Sequence, residues 1–197
     1  MKLALGTVQF GVPYGIANTS GQIDPEEVAK ILGIAKTHDI DTLDTAIAYG
    51  NSESVLGSVG VSDFKVVSKL PPVELGKENI RSWLFGHLEG SLSRLKIKQL
   101  DALMFHRASD YSGPHERQLR DYLVEAKERG LVNKVGVSLY APSDLDPIEE
   151  IGAIDIVQAP FNIFDQRLKT SGWMEKLQNT GIEIHSRSTF LQGLLLL

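Results

Sequence analysis

Short apolar runs alternate with longer amphipathic stretches from one end of the chain to the other. Leu3 to Thr7, Thr42-Leu43, Phe64 to Ser68, Asp101 to Phe105, Lys134 to Val137, Ile156-Val157 and Ile182 to His185 read as seven strands, each brief and bounded by glycine, proline or a charge. Helical periods stand between them. Asp24-Pro25-Glu26-Glu27 opens one with an N-cap, a proline at the first helical position and acids in the first turn, and Val28, Ile31, Leu32 and Ala35 form its apolar face. Asn51-Ser52-Glu53 caps a shorter one carrying Val55, Leu56 and Val59. Glu78 to Arg94 shows Ile80, Leu84, Leu88 and Leu92 along one stripe that Leu95 continues. Leu119 to Arg129 is closed by Gly130, Ser143 to Ile151 is a weaker period, and Ser171 to Asn179 is closed by Gly181. Phe190 to Leu194 starts a further crossover.

Strand and helix alternating in this way predict a parallel sheet with right-handed crossovers. The strands read as buried on both faces, which suits a barrel. A doubly wound open sheet is the rival, but no G-x-G-x-x-G follows the first strand at a helix start. With 197 residues, 42% of them hydrophobic, the chain can bury one core, so a single domain over 1–197 is expected. A net charge of -5 implies no basic face for nucleic acid or anionic lipid. The absence of cysteine removes disulfide and thiolate chemistry. The opening apolar run is too short for a signal peptide and nothing approaches a membrane span, so a cytoplasmic protein is expected.

Chemistry concentrates where strands end. Asp44, Lys69 and His106 close three successive strands, and Tyr49 stands in the loop after the first of them. The C-terminal ends of barrel strands all open on one face, so these four side chains are expected to converge at one rim. Each has a structural reading alone: a turn carboxylate, a solvated lysine, a core-edge histidine, a packed aromatic. Together they make sense as acid–base machinery. A phenol with a reference pKa near 10 can donate a proton to a developing alkoxide. A neighbouring ammonium is expected to lower that pKa, and Asp44 to hold Lys69 charged and oriented. His106 is placed to position the substrate oxygen.

The motifs then form a familiar set. Gly6-Thr7, D-T-A-x-x-Y-G from Asp44 to Gly50, V-S-K from Val67 to Lys69, F-H at Phe105-His106, G-L-V-x-K-V-G-V-S from Gly130 to Ser138 and Q-A-P-F-N from Gln158 to Asn162 stand in order along the chain. This pattern resembles the aldo-keto reductases, in the variant often found in bacterial surface-sugar gene clusters. The resemblance implies a (β/α)8 TIM barrel that binds NADPH without a Rossmann motif and passes its hydride to an aldehyde or ketone. It implies Tyr49 as general acid, with Asp44, Lys69 and His106 completing a tetrad. Gly6, Thr7, Asp44, Ser138 and Gln158 would contact the nicotinamide end, and Ser186, Arg187, Ser188, Leu191, Gln192 and Gly193 the ribose and pyrophosphate.

Three departures from the family pattern bear on that picture. Leu139 stands where an asparagine is common, and Arg187 where an aromatic often stacks on nicotinamide. Against the family's length the last β/α unit is lacking, so a barrel truncated after the seventh strand is expected, with open edges that invite self-association. The alternatives are a non-catalytic nucleotide-binding or regulatory protein on the same fold, and a metal-dependent barrel enzyme using His106 and His185. No ligand spacing supports the metal, so none is expected.

Overall fold

The computed structural model describes residues 2–73, 79–112, 114–148 and 154–196. Seven parallel strands run in the order in which they occur along the chain: β1 (Ala4–Gly6), β2 (Thr42–Asp44), β3 (Lys65–Leu70), β4 (Leu100–Phe105), β5 (Val132–Ser138), β6 (Ile156–Pro160) and β7 (Glu183–Arg187). The sheet curls as seven strands of a (β/α)8 barrel, with helices on its outer face. The main helices are α1 (Pro25–Thr37), α2 (Ser52–Val59), α3 (Ile80–Leu95), α5 (Glu116–Glu128) and α7 (Trp173–Asn179). Two single turns, α4 (Ala108–Tyr111) and α6 (Arg167–Thr170), were not legible as periods because four residues are too few to show one.

Local chemistry explains the helix starts. The Asp24 side chain accepts from the Glu26 N–H, and Asn79 does the same for Arg81. The expected helix from Ser143 to Ile151 appears as a 3-10 turn over Pro142–Leu145, and its end falls outside the described residues. Pro147 stands inside that span, and an interior proline removes a backbone donor and clashes with the preceding turn. Phe190 to Leu194 does not start a crossover helix. Leu191–Leu196 is a 3-10 segment kinked at Gln192 and Gly193, both in left-handed conformation.

The expectation that every strand is buried on both faces holds only for the middle of the sheet. β3 to β6 are buried almost throughout, whereas β1, β2 and β7 are half-exposed. β1 and β7 are the ends of the sheet, so each lacks a neighbour on one side. The larger core lies between sheet and helices, including Leu32, Leu56, Leu84, Leu88 and Leu119. A smaller one of Val67, Ala102, Met104 and Ile156 fills the inner face. Register does the placing: Gly6 pairs with Asp44, Asp44 with Val67, Ser138 with Gln158 and Pro160 with Arg187. All candidate side chains therefore leave the sheet at its C-terminal edge.

Candidate active site

Lys69 is the side chain around which the site closes. It lies two residues beyond Val67, the register partner of Asp44, and is completely buried. Its ammonium donates to Asp44 Oδ1 at 2.7 Å and to the Thr45 carbonyl at 2.9 Å. A buried ammonium survives only with such partners. Asp44 accepts a second bond on the same oxygen, from Gln158 Nε2 at 2.9 Å, across 114 positions of sequence. Ser138 donates a long bond of 3.5 Å to Gln158 Oε1. Ends of β2, β3, β5 and β6 are thus joined by one polar network.

Tyr49 and His106 stand over this network. Their rings meet edge to face with centroids 5.9 Å apart, and the Lys69 ammonium lies 5.2 Å from the Tyr49 ring centroid. The loop that carries Tyr49 is held from two sides. Gly11 passes so close that a Cβ there would sit 1.7 Å from the Tyr49 carbonyl oxygen. At the start of α2, Ser52 Oγ donates to the Thr7 carbonyl at 2.9 Å and lies 3.1 Å from both Thr7 Oγ1 and Thr45 Oγ1. The next residue, the buried Glu53, accepts from Ser68 Oγ at 2.6 Å and from Arg94 at 2.7 and 2.8 Å. Ser68 precedes Lys69, so this carboxylate couples the tyrosine's helix to the lysine's strand.

The electrostatics correct one expectation. Tyr49 was expected to have its pKa lowered by Lys69, but it is pushed well above the usual phenol value, first by burial and then by the Asp44 carboxylate. In the resting site the Lys69 ammonium bonds Asp44 and the Thr45 carbonyl, and burial and the Asp44 charge decide the phenol's pKa. His106 is pushed below its usual value by burial and by the Lys69 ammonium. At neutral pH the site therefore holds a protonated phenol, a neutral imidazole and a closed lysine–aspartate pair.

The remaining candidates divide into two groups. Thr7 is fully buried and donates to the Asp44 carbonyl at 3.0 Å, supporting the carboxylate's strand, and Gly6 pairs with Asp44 in the sheet. Ser186, Ser188, Leu191, Gln192 and Gly193 belong to the strand end and loop after β7. That loop turns through left-handed conformations at Ser188, Leu191, Gln192 and Gly193. It is tied down by Asn162 Nδ2 donating to the Ser188 carbonyl at 3.1 Å and by the Ile16 N–H donating to Gln192 Oε1 at 3.2 Å.

Arg187 turns back toward β5 and meets the other departure from the family pattern. It donates to the carbonyl of Leu139 at 2.7 Å and lies over the Tyr140 ring at 4.8 Å. Leu139 itself is buried. The two unusual residues are therefore one local arrangement. Sequence reasoning missed Thr45, Ser52, Glu53 and Tyr140 as parts of the site. In sequence Ser52 and Glu53, three and four positions after Tyr49, signal only a helix cap. Among the described residues no group of three or more His, Asp or Glu has the geometry of a metal site, and no helix is long and apolar enough to cross a membrane.

The model of the Aldo/keto reductase family matches residues 2–196. The chain belongs to that family. Among curated proteins, this family member is 28% identical over 129 residues to L-glyceraldehyde 3-phosphate reductase of Escherichia coli strain K12, a match spanning 63% of the chain and 37% of that protein. It is 23% identical over 204 residues to oxidoreductase sirO of Leptosphaeria maculans, spanning 98% of the chain and 61% of the relative. Among solved structures it superposes on aldo-keto reductase AKR11C1 from Bacillus halodurans with a TM-score of 0.77 at 21% identity, covering 98% of this chain and 64% of the other. It superposes on the thermostable aldo-keto reductase Tm1743, solved with the inhibitor epalrestat, with a TM-score of 0.74 at 27% identity, covering 93% and 66%. The chain thus spans between about one third and two thirds of the length of these relatives.

Proposed function

We propose that the site reduces the carbonyl group of a small aldehyde or ketone with NADPH, Tyr49 acting as general acid. The observation that carries this reading is the meeting of Tyr49, Lys69, Asp44 and His106 at one rim, held by bonds that a merely structural cluster has no need to arrange. The donor set fits a nicotinamide dinucleotide. Ser138 and Gln158 place a hydroxyl and an amide beside Asp44, as recognition of a carboxamide requires. The strand end and loop after β7 carry the hydroxyls of Ser186 and Ser188, and no acid occurs from Ser186 to Gly193, so the segment suits phosphate oxygens. Ser186, Ser188, Leu191, Gln192 and Gly193 would hold the phosphate-bearing portion, while the Arg187 guanidinium is engaged instead by the Leu139 carbonyl and the Tyr140 ring. The chemistry such a cofactor supplies is a hydride for the carbonyl carbon.

The protein's own task is then to hold and deliver a proton. His106, neutral at physiological pH, orients the carbonyl oxygen by hydrogen bonding. The Tyr49 hydroxyl donates its proton to that oxygen as negative charge develops there, and the Lys69–Asp44 pair stabilises the phenolate left behind. The raised pKa of the resting phenol keeps the acid form populated until the substrate arrives.

Two measurements on the wild-type chain test the proposal. Titration with NADPH is expected to enhance and shift the cofactor's fluorescence, and absorbance at 340 nm is expected to fall on adding an aldehyde. Binding without turnover of any of a broad set of aldehydes would instead support the nucleotide-binding regulatory reading. Self-association is a further part of the proposal, because the edges of β1 and β7 leave unpaired backbone beside the exposed Leu3, Phe190, Leu194 and Leu196. A monomeric mass by light scattering at tens of micromolar would remove it.

A further inference from the structure

Three arginines belong to elements that end at or just beyond the strand C-termini, and their charges are managed differently. Arg107, next to His106, is closed by Asp110 through bonds of 2.7 and 2.9 Å. Arg167 is closed by Asp165 in the same two-pronged way, at 2.7 and 2.9 Å. Arg187 has only uncharged contacts: the Leu139 carbonyl at 2.7 Å, the Ser188 hydroxyl at 3.4 Å and the Tyr140 ring face. Its Nε is buried with no hydrogen-bond partner, and among the described residues no carboxylate lies within ion-pair distance.

The position of this unpaired cation matters. It stands at the end of β7, on the same C-terminal edge of the sheet as Tyr49 and His106, and its charge reaches both of them. Lys69 and Asp44 cancel each other at 2.7 Å, and His106 is neutral. Among the described residues Arg187 is therefore a rim cation without an ion-pair partner, Asp165 being closed on Arg167 and reaching it only at longer range. Stacking on Tyr140 and the bond to Leu139 hold the guanidinium in place, so little of its side-chain freedom has to be lost when an anion arrives. Nη1 has only the long contact to Ser188 and is the donor best placed to take an oxyanion.

We propose that Arg187 is a specificity residue for a carbonyl substrate that carries its own oxyanion, a phosphate or a carboxylate, a few bonds from the reacting carbon. This rests on the proposed carbonyl reduction at Tyr49 and adds the substrate class. A charge-assisted bond of this kind corresponds to a preference of roughly ten- to a hundredfold over the uncharged counterpart.

The test is a matched-pair comparison with NADPH at saturation. Glyceraldehyde 3-phosphate against glyceraldehyde reads phosphate, and succinic semialdehyde against butyraldehyde reads carboxylate. At least one charged member is expected to have the higher kcat/KM by about tenfold or more. In Arg187→Met that ratio is expected to fall to within about twofold of unity, and in Arg187→Lys to survive in part. Using the ratio cancels any effect of the substitution on the cofactor, whose affinity is read separately by fluorescence. A wild-type chain with no preference in either pair, or a methionine variant that keeps the preference, overturns the proposal. If the wild-type chain reduces none of the four compounds, carbonyl reduction itself fails. Calorimetric titration with oxamate and with inorganic phosphate then decides the anion site alone: binding lost in Arg187→Met upholds it, and equal binding or none in the wild type overturns it.

Discussion

Tyr49→Phe is expected to lower carbonyl reduction by roughly 10²- to 10⁴-fold, the usual contribution of a positioned general acid, while the NADPH dissociation constant changes by less than about twofold. The phenol is half-buried, and its ring, which packs against His106 and lies near Lys69, is retained in the variant. Only the hydroxyl is removed, so the loss belongs in kcat. The wild-type pH profile supplies the companion result. Tyr49 must be protonated to act and is shifted above about 10, so reduction is expected to stay flat through the neutral range and to decline only above it. His106 is shifted below 6.5, so the acid limb falls below that value. Steady-state rates in both proteins check all three. A phenylalanine variant with wild-type turnover, or a wild-type rate falling between pH 7 and 9, removes Tyr49 from the role.

Lys69→Met is expected to damage both activity and stability, which separates it from the tyrosine variant. Lys69 is completely buried, while Asp44 retains 17% side-chain exposure. Removing one partner of a buried pair and leaving the other charged costs about 3–5 kcal/mol, and the remaining access of water to Asp44 places this case toward the lower end. The urea midpoint is expected to fall accordingly. Turnover falls as well, because nothing then stabilises the phenolate. The double variant Asp44→Asn with Lys69→Met replaces the stranded carboxylate by an amide and is expected to recover part of the stability but none of the turnover. Recovery of both would show that the pair is structural and takes no part in the chemistry.

The barrel strands and most of the helices were legible in the sequence because their signals are local. Apolar runs of two to five residues, the N-cap side chain at Asp24, and the closing Gly130 and Gly181 each act within a few positions of themselves. Elements that escaped were those too short for a period, such as α4 and α6, or those where Pro147 broke a weak one. The meeting of Asp44, Tyr49, Lys69 and His106 at one rim was also legible, since each ends a strand or follows one, and parallel strands bring their ends to a common edge. Glu53 was not. A carboxylate in the first turn of a helix normally faces water and the helix dipole, and nothing local says that this one turns inward to meet Ser68 and Arg94.

What the linear order of residues settled was the set of chemical groups and the edge of the sheet at which they emerge, because strand period and chain direction are properties of neighbouring positions. Protonation was decided by the folded molecule. Lys69 was expected to acidify Tyr49, yet the folded rim gives that ammonium to Asp44 and the Thr45 carbonyl, and burial drives the phenol the other way. Arg187 and Leu139, 48 positions apart, likewise became one arrangement only when β5 and β7 brought a guanidinium to a carbonyl. Both outcomes depend on which charges meet and how much water is excluded between them, and those quantities exist only in three dimensions.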